Sequence, residues 1–172
     1  MDTTELADRL AIAETLARYC RGIDRCDAAL LAEVFTPDAH LDYGSGAAPI
    51  AETIAGLMQG LGTMRLTQHN ISNTVMQVTG DSAKAETNCV ALHLIPTPDS
   101  EIELVVGGRY LDTLVKQGGQ WRIAERLYVM DWNRTAPATM QTSGGLFDGL
   151  QRRGARGAVD PSAAWWDRVG DT

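Results

Sequence analysis

Three features of the chain point to an α+β architecture. Apolar residues recur at helical spacing as far as Leu61; from residue 66 onward four long segments rich in Val, Ile, Thr and Leu take over; and tight turn signals separate those segments. Helices followed by consecutive hairpins predict three N-terminal helices packed in a strongly curved antiparallel sheet, a cone or α+β barrel with a ligand pocket between the layers.

The first helix covers residues 4–25, with Thr3 or Thr4 as N-cap. At 100° per residue, Leu6, Leu10, Ile12, Ala13, Leu16, Ala17, Tyr19, Cys20 and Ile23 share one broad arc, and Glu14, Arg18, Arg21 and Arg25 lie opposite. Asp24 projects onto the apolar arc. A carboxylate there is costly unless it is paired, so it calls for a partner. A second helix runs roughly from Ala28 to Phe35 and stops at Pro37; the short strand "HLDY" follows, then a third helix over Pro49 to Leu61. Strands are expected at 67–79, 83–95, 101–116 and 120–132, divided by Gly80-Asp81, "PTPDS" and Gly118-Gly119. Gly107 and Gly108 mark a bulge or bend in the third of them.

These elements make residues 1–132 one domain. Residues 133–172 form an extension with little periodicity, expected to pack on the same or a neighbouring subunit. Within it, "DPSAAWWDR" reads as a short helix capped by Asp160 with Pro161 at its first position, and Trp165 and Trp166 need a surface to cover.

With 172 residues, 44% apolar and 22% charged, the chain suits one globular domain with a real core. A net charge of −7 argues against a nucleic-acid partner, because phosphate binding needs a concentrated basic surface. Apolar runs are too short to span a membrane, and the acidic "MDTTELADRL" is unlike a secretory signal, so a cytoplasmic protein is expected. Three cysteines without a CxxC pair suggest free thiols. Scattered histidines give neither HxH nor HExxH, and no glycine-rich loop joins a strand to a helix. Neither a metal nor any other cofactor is implied.

The helix end "ARYCRGID", the early "LDYG", the strand "HNISN", the hairpin "GGRY" and the last strand "WRIAERLY" occur in order at matching intervals. Together they resemble the SnoaL-like branch of the NTF2-like superfamily over about residues 4–132. The similarity is greatest to the group with scytalone dehydratase, bile-acid 7α-dehydratase and hexachlorocyclohexane dehydrochlorinase. That resemblance implies a cone-shaped fold, frequent trimers packed through their sheets, and a dyad in which Asp24 orients His69 as a base. It implies pocket hydroxyls from Tyr19 and Tyr43 and a catalytic cation at Arg126. It further places Asn73 near the pocket, in the family's spacing after the histidine, and His93 as a second pocket histidine whose register on its strand is open.

Each residue also has a plain structural reading. His69 could be a hydrogen-bonded core histidine; Asp24 could cap a turn or bridge to Arg21 or Arg25; the tyrosines could be core aromatics; Arg126 could be a surface residue paired with Glu125 or Asp112. The functional expectation is a cofactor-independent lyase, a dehydratase before a dehydrohalogenase, acting on an apolar ring-containing small molecule such as a steroid or polyketide-like aromatic. Leu41, Met58, Leu61, Met64, Val90 and Leu92 are the expected walls of its pocket. An isomerase or cyclase would use the same base, and a non-catalytic binding or oligomerisation module remains the contrasting class.

Overall fold

The computed structural model describes residues 2–166. Helix α1 (Thr3–Arg25) and helix α2 (Ala28–Val34) lead into strand β1 (Phe35–Asp42), and the two-residue β2 (Ala48–Pro49) precedes helix α3 (Ile50–Gly62). Four long strands follow: β3 (Leu66–Thr79), β4 (Ser82–Pro96), β5 (Glu101–Gln117) and β6 (Gln120–Pro137). They form one curved sheet in the order β2-β1-β6-β5-β4-β3, so consecutive hairpins build most of it. The α+β expectation is borne out, with one addition: β1 joins the sheet parallel to β6, which makes the sheet mixed.

Boundaries shift where side chains decide them. Asp2, not Thr3 or Thr4, caps α1, its carboxylate accepting from the Glu5 N–H at 2.8 Å. Helix α2 ends one residue early because Phe35 is already extended, and Pro37 sits where the β1–β6 register is irregular and no ladder hydrogen bond is lost. Strand β6 runs past the expected limit at 132 to Pro137, residues 133–137 pairing with Ile102 to Val106 of β5, so the extension begins at Ala138.

The α1 stripe facing the sheet is narrower than its apolar arc. Ile12, Leu16, Tyr19, Cys20 and Ile23 are buried, Leu6 and Leu10 are exposed, and Asp8 and Thr15 are buried in their place. Both polar groups are satisfied by the β5–β6 hairpin: Asp8 accepts from Lys116 Nζ and Trp121 Nε1, and Thr15 donates to the Trp121 carbonyl. Burial of a polar group is tolerated when it is hydrogen-bonded, which an apolar pattern cannot register.

Three strand irregularities set which side chains face the core. Asn73 takes a left-handed φ of 46° where the β3–β4 register shifts between Ser72 and Val75. The β5–β6 register shifts at Gly107/Gly108, where a bulge was expected, and again at Thr113/Leu114, opposite Ala124. At Gly108 a Cβ would strike the Val129 carbonyl and the Tyr128 ring, so the close approach of β5 to β6 needs glycine there.

The extension packs on its own chain. Arg21 donates to Ser162 Oγ, Arg25 approaches Asp160 Oδ2 at 3.4 Å, and Arg156 donates to Cys26 Sγ. Asp160 caps helix α4 (Pro161–Trp166) as expected, accepting from Ser162 N–H and Ala155 N–H. Asp167 and Arg168 of the expected helix lie outside the described residues. Trp165 and Trp166 are about half exposed and stack on one another edge to face, with Arg21 over the Trp166 ring. No described helix is long and apolar enough to cross a membrane.

Candidate active site

The C-terminal turn of α1 lies against β3, the outermost strand on its side of the sheet. Edge strands keep unpaired backbone donors, and Asp24 uses one: its Oδ2 accepts from the His69 N–H at 2.9 Å. Its Oδ1 lies 2.7 Å from His69 Nδ1 and also accepts from Thr67 Oγ1 at 3.0 Å. This is the partner that the apolar arc demanded. An ionised carboxylate can only accept, so in a neutral ring this contact puts the proton on Nδ1 and leaves the lone pair on Nε2. Both side chains are nearly enclosed, at 8% exposure for His69 and 12% for Asp24.

His69 lines a cavity of about 390 Å³ between α1, α3 and the sheet. Small side chains leave the space. Gly56 and Gly60 open the α3 wall, and Cys89 and Ala91 face inward from β4. All four tyrosines of the chain, Tyr19, Tyr43, Tyr110 and Tyr128, line it. The Tyr19 and Tyr43 hydroxyls are hydrogen-bonded at 2.8 Å. Burial raises both phenols above their ordinary range, against the pull of the nearby Arg126 charge, so each stays protonated and can donate.

His93 faces the same cavity, its ring edge-on to His69 at 5.5 Å between centroids. Its Nδ1 is buried with no partner among the described residues. Burial, and then the neighbouring His69, hold its pKa below the ordinary value, which favours the neutral ring.

Arg126 does not line the cavity. It is fully buried behind the tyrosines, its guanidinium 3.9 Å from the Tyr19 ring centroid and 4.0 Å from that of Tyr110. Nε and Nη2 hold Asp112 in a two-pronged pair at 2.7 and 2.8 Å. Burial alone would disfavour the charge, but Asp112 more than offsets this and keeps it. The expected cation thus touches the phenols and does not itself reach the cavity.

Other expectations are corrected. Asn73 is an exposed bulge residue away from the cavity. Leu41 and Met58 pack in the core without reaching the cavity wall, whereas Leu61 and Met64 do line it. Val90 and Leu92 point outward, since Cys89, Ala91 and His93 occupy the inward face of β4. Tyr110 and Tyr128 were missed as wall residues although "GGRY" and "WRIAERLY" contain them. Among the described residues no group of His, Cys, Asp and Glu converges on a metal position.

The SnoaL-like domain model matches residues 4–127. The chain belongs to this family. An uncharacterized protein of Mycobacterium tuberculosis is 31% identical to it over 130 residues, which cover 74% of this chain and 88% of the relative. Among solved structures, a candidate scytalone dehydratase from Novosphingobium aromaticivorans superposes with a TM-score of 0.70 at 24% identity, over 85% of this chain and 97% of that one. A type 2 hexachlorocyclohexane dehydrochlorinase gives a TM-score of 0.70 at 20% identity, over 84% and 98%. These neighbours show the fold, and the dyad and the four tyrosines described above are features of this chain.

Proposed function

We propose that the protein is a cofactor-independent lyase of the dehydratase type, acting on an apolar, ring-containing small molecule. The observation that carries this reading is the Asp24–His69 pair at 2.7 Å, opening into a largely apolar cavity whose side-chain hydroxyls, among the described residues, are all phenolic. His69 Nε2 takes a proton from carbon, the freed electron pair forms the C=C bond, and the C–O bond to the leaving hydroxyl breaks. The imidazolium returns its proton to the departing oxygen, water leaves, and His69 is neutral again. Asp24 fixes the ring and stabilises the imidazolium; Tyr19 and Tyr43 hydrogen-bond the oxygen on which charge grows. The neighbouring proteins named as a dehydratase and a dehydrochlorinase support an elimination of this kind.

Incubating the protein with hydroxysteroids and hydroxylated ketones, and following the loss of one water by mass spectrometry, tests the reading. Turnover should vanish in His69→Ala, fall on the order of 10²- to 10⁴-fold in Asp24→Asn, and fall about 10²-fold in Tyr43→Phe. A product of unchanged mass would assign isomerisation or cyclisation to the same base. Equal ligand binding before and after His69→Ala, with no turnover by the parent, would leave a binding module.

A further inference from the structure

His69 is a wall between two cavities. The second, about 490 Å³, lies on the outer side of the dyad and is lined by Asp24, Arg25, Arg65, residues 66–70 of β3, and Gly154, Ala155 and Arg156 of the extension. Its chemistry is the opposite of the first, because three arginines surround it. Two of them have carboxylates at hand: Arg25 has Asp160 at 3.4 Å and Arg65 has Glu101 at 2.7 Å. Asp24 is taken up by His69 and Thr67.

Arg156 is different. Its Nη1 donates to Cys26 Sγ at 2.6 Å, a weak acceptor, while Nε and Nη2 are buried with no hydrogen-bond partner among the described residues. Arg25 Nε is buried as well, and has only the 3.4 Å approach to Asp160 in place of a hydrogen bond. Guanidinium donors left unsatisfied away from water are destabilising, and an oxyanion presenting two oxygens satisfies two of them at once.

We infer that this cavity is a subsite for an oxyanion carried by the substrate, a carboxylate or a phosphate monoester, with Arg156 as its principal ligand and Arg25 and Arg65 beside it. The inference rests on the lyase reading for the other half of the molecule bound. An apolar body fills the tyrosine-lined cavity, its reacting carbon lies at His69, and the anionic group extends past the imidazole to the arginines. The substrate is then an anionic amphiphile. Because Arg156 arrives from the extension, docking of that segment completes the site.

The test uses the headgroups alone. The chain has three histidines, and His40 lies on the exposed face of β1, so it serves as an internal control. Inorganic phosphate and acetate are titrated separately at constant ionic strength against chloride, and the imidazole resonances are followed by NMR. His69 and His93 should move saturably while His40 does not, and whichever of phosphate and acetate saturates at lower concentration identifies the headgroup. Arg156→Gln should weaken the response at least tenfold, and Arg156→Lys, which keeps the charge but not the fork, by less. No saturable movement, an equal effect of chloride, or an unchanged response in folded Arg156→Gln or Arg156→Lys overturns the subsite. None of these readouts needs turnover. Anion binding without any dehydration would sink the lyase reading alone, and dehydration without anion binding would sink the subsite alone.

Discussion

His93 and Arg126 show how burial turns a side chain's charge into a property of the fold. His93 resists protonation because it is buried and sits beside His69, so the folded chain binds this proton less readily than the unfolded chain. Stability is therefore fully present above the ordinary value of 6.5 and is lost as pH falls through the lower folded value. Urea denaturation across that range should show a shallower decline in His93→Gln than in the parent; parallel curves would remove His93 from the account. Arg126 and Asp112 pose the complementary case. Arg126→Met leaves Asp112 buried without its counter-charge and should lose about 3–5 kcal/mol, whereas Arg126→Met with Asp112→Leu should recover most of it. If the double variant is as unstable as the single one, the pair is not held by charge neutralisation.

The strands explain why part of the site could be read from residue order and part could not. Asp24 stood out because a helix keeps its phase, which put a carboxylate on an apolar stripe, and His69 followed from its resemblance to a base that needs such a partner. Strand phase is more fragile, since one extra residue turns every later side chain to the other face. The shift opposite Ala124 moves the buried positions of β6 from Trp121 and Ile123 to Arg126, with Glu125 and Leu127 exposed. Tyr128 shares the Arg126 face and reaches the cavity for that reason. The shift at Asn73 likewise moves the half-buried positions of β3 from Ile71 to Met76 and Val78. On β4, both faces of Cys89 to His93 carry apolar residues, so alternation offered no guide to which set lines the cavity. Asn73 should then matter through its backbone. Asn73→Gly should leave thermal stability nearly unchanged, while Asn73→Val, forced into a left-handed conformation, should lose about 1–2 kcal/mol. Equal stability of the two variants would show that the bulge tolerates a β-branched residue.

Across the molecule, the curved sheet with its helices and the docked extension make separable contributions. Every described residue lining the apolar cavity lies between Tyr19 and Tyr128, whereas the arginine-lined cavity draws on Gly154 to Arg156. A chain ending at Pro137 should keep its far-UV circular dichroism and its affinity for neutral apolar ligands. Ending it at Asn133 removes residues paired with β5 and should lower the melting temperature further. Loss of apolar binding in the longer truncation would show that the extension shapes both cavities. The aperiodic extension was the least readable part of the chain, because its contacts to Cys26, Arg25 and Arg21 depend on single side chains with no repeat to announce them.

Asp24 holds more than an imidazole. By capturing the outward amide of His69 it closes one rung of β3, a margin on which strands of other molecules could otherwise add. The same carboxylate thus occupies a backbone donor on the free margin of the sheet, and that rung has nothing to offer a strand of a neighbouring molecule.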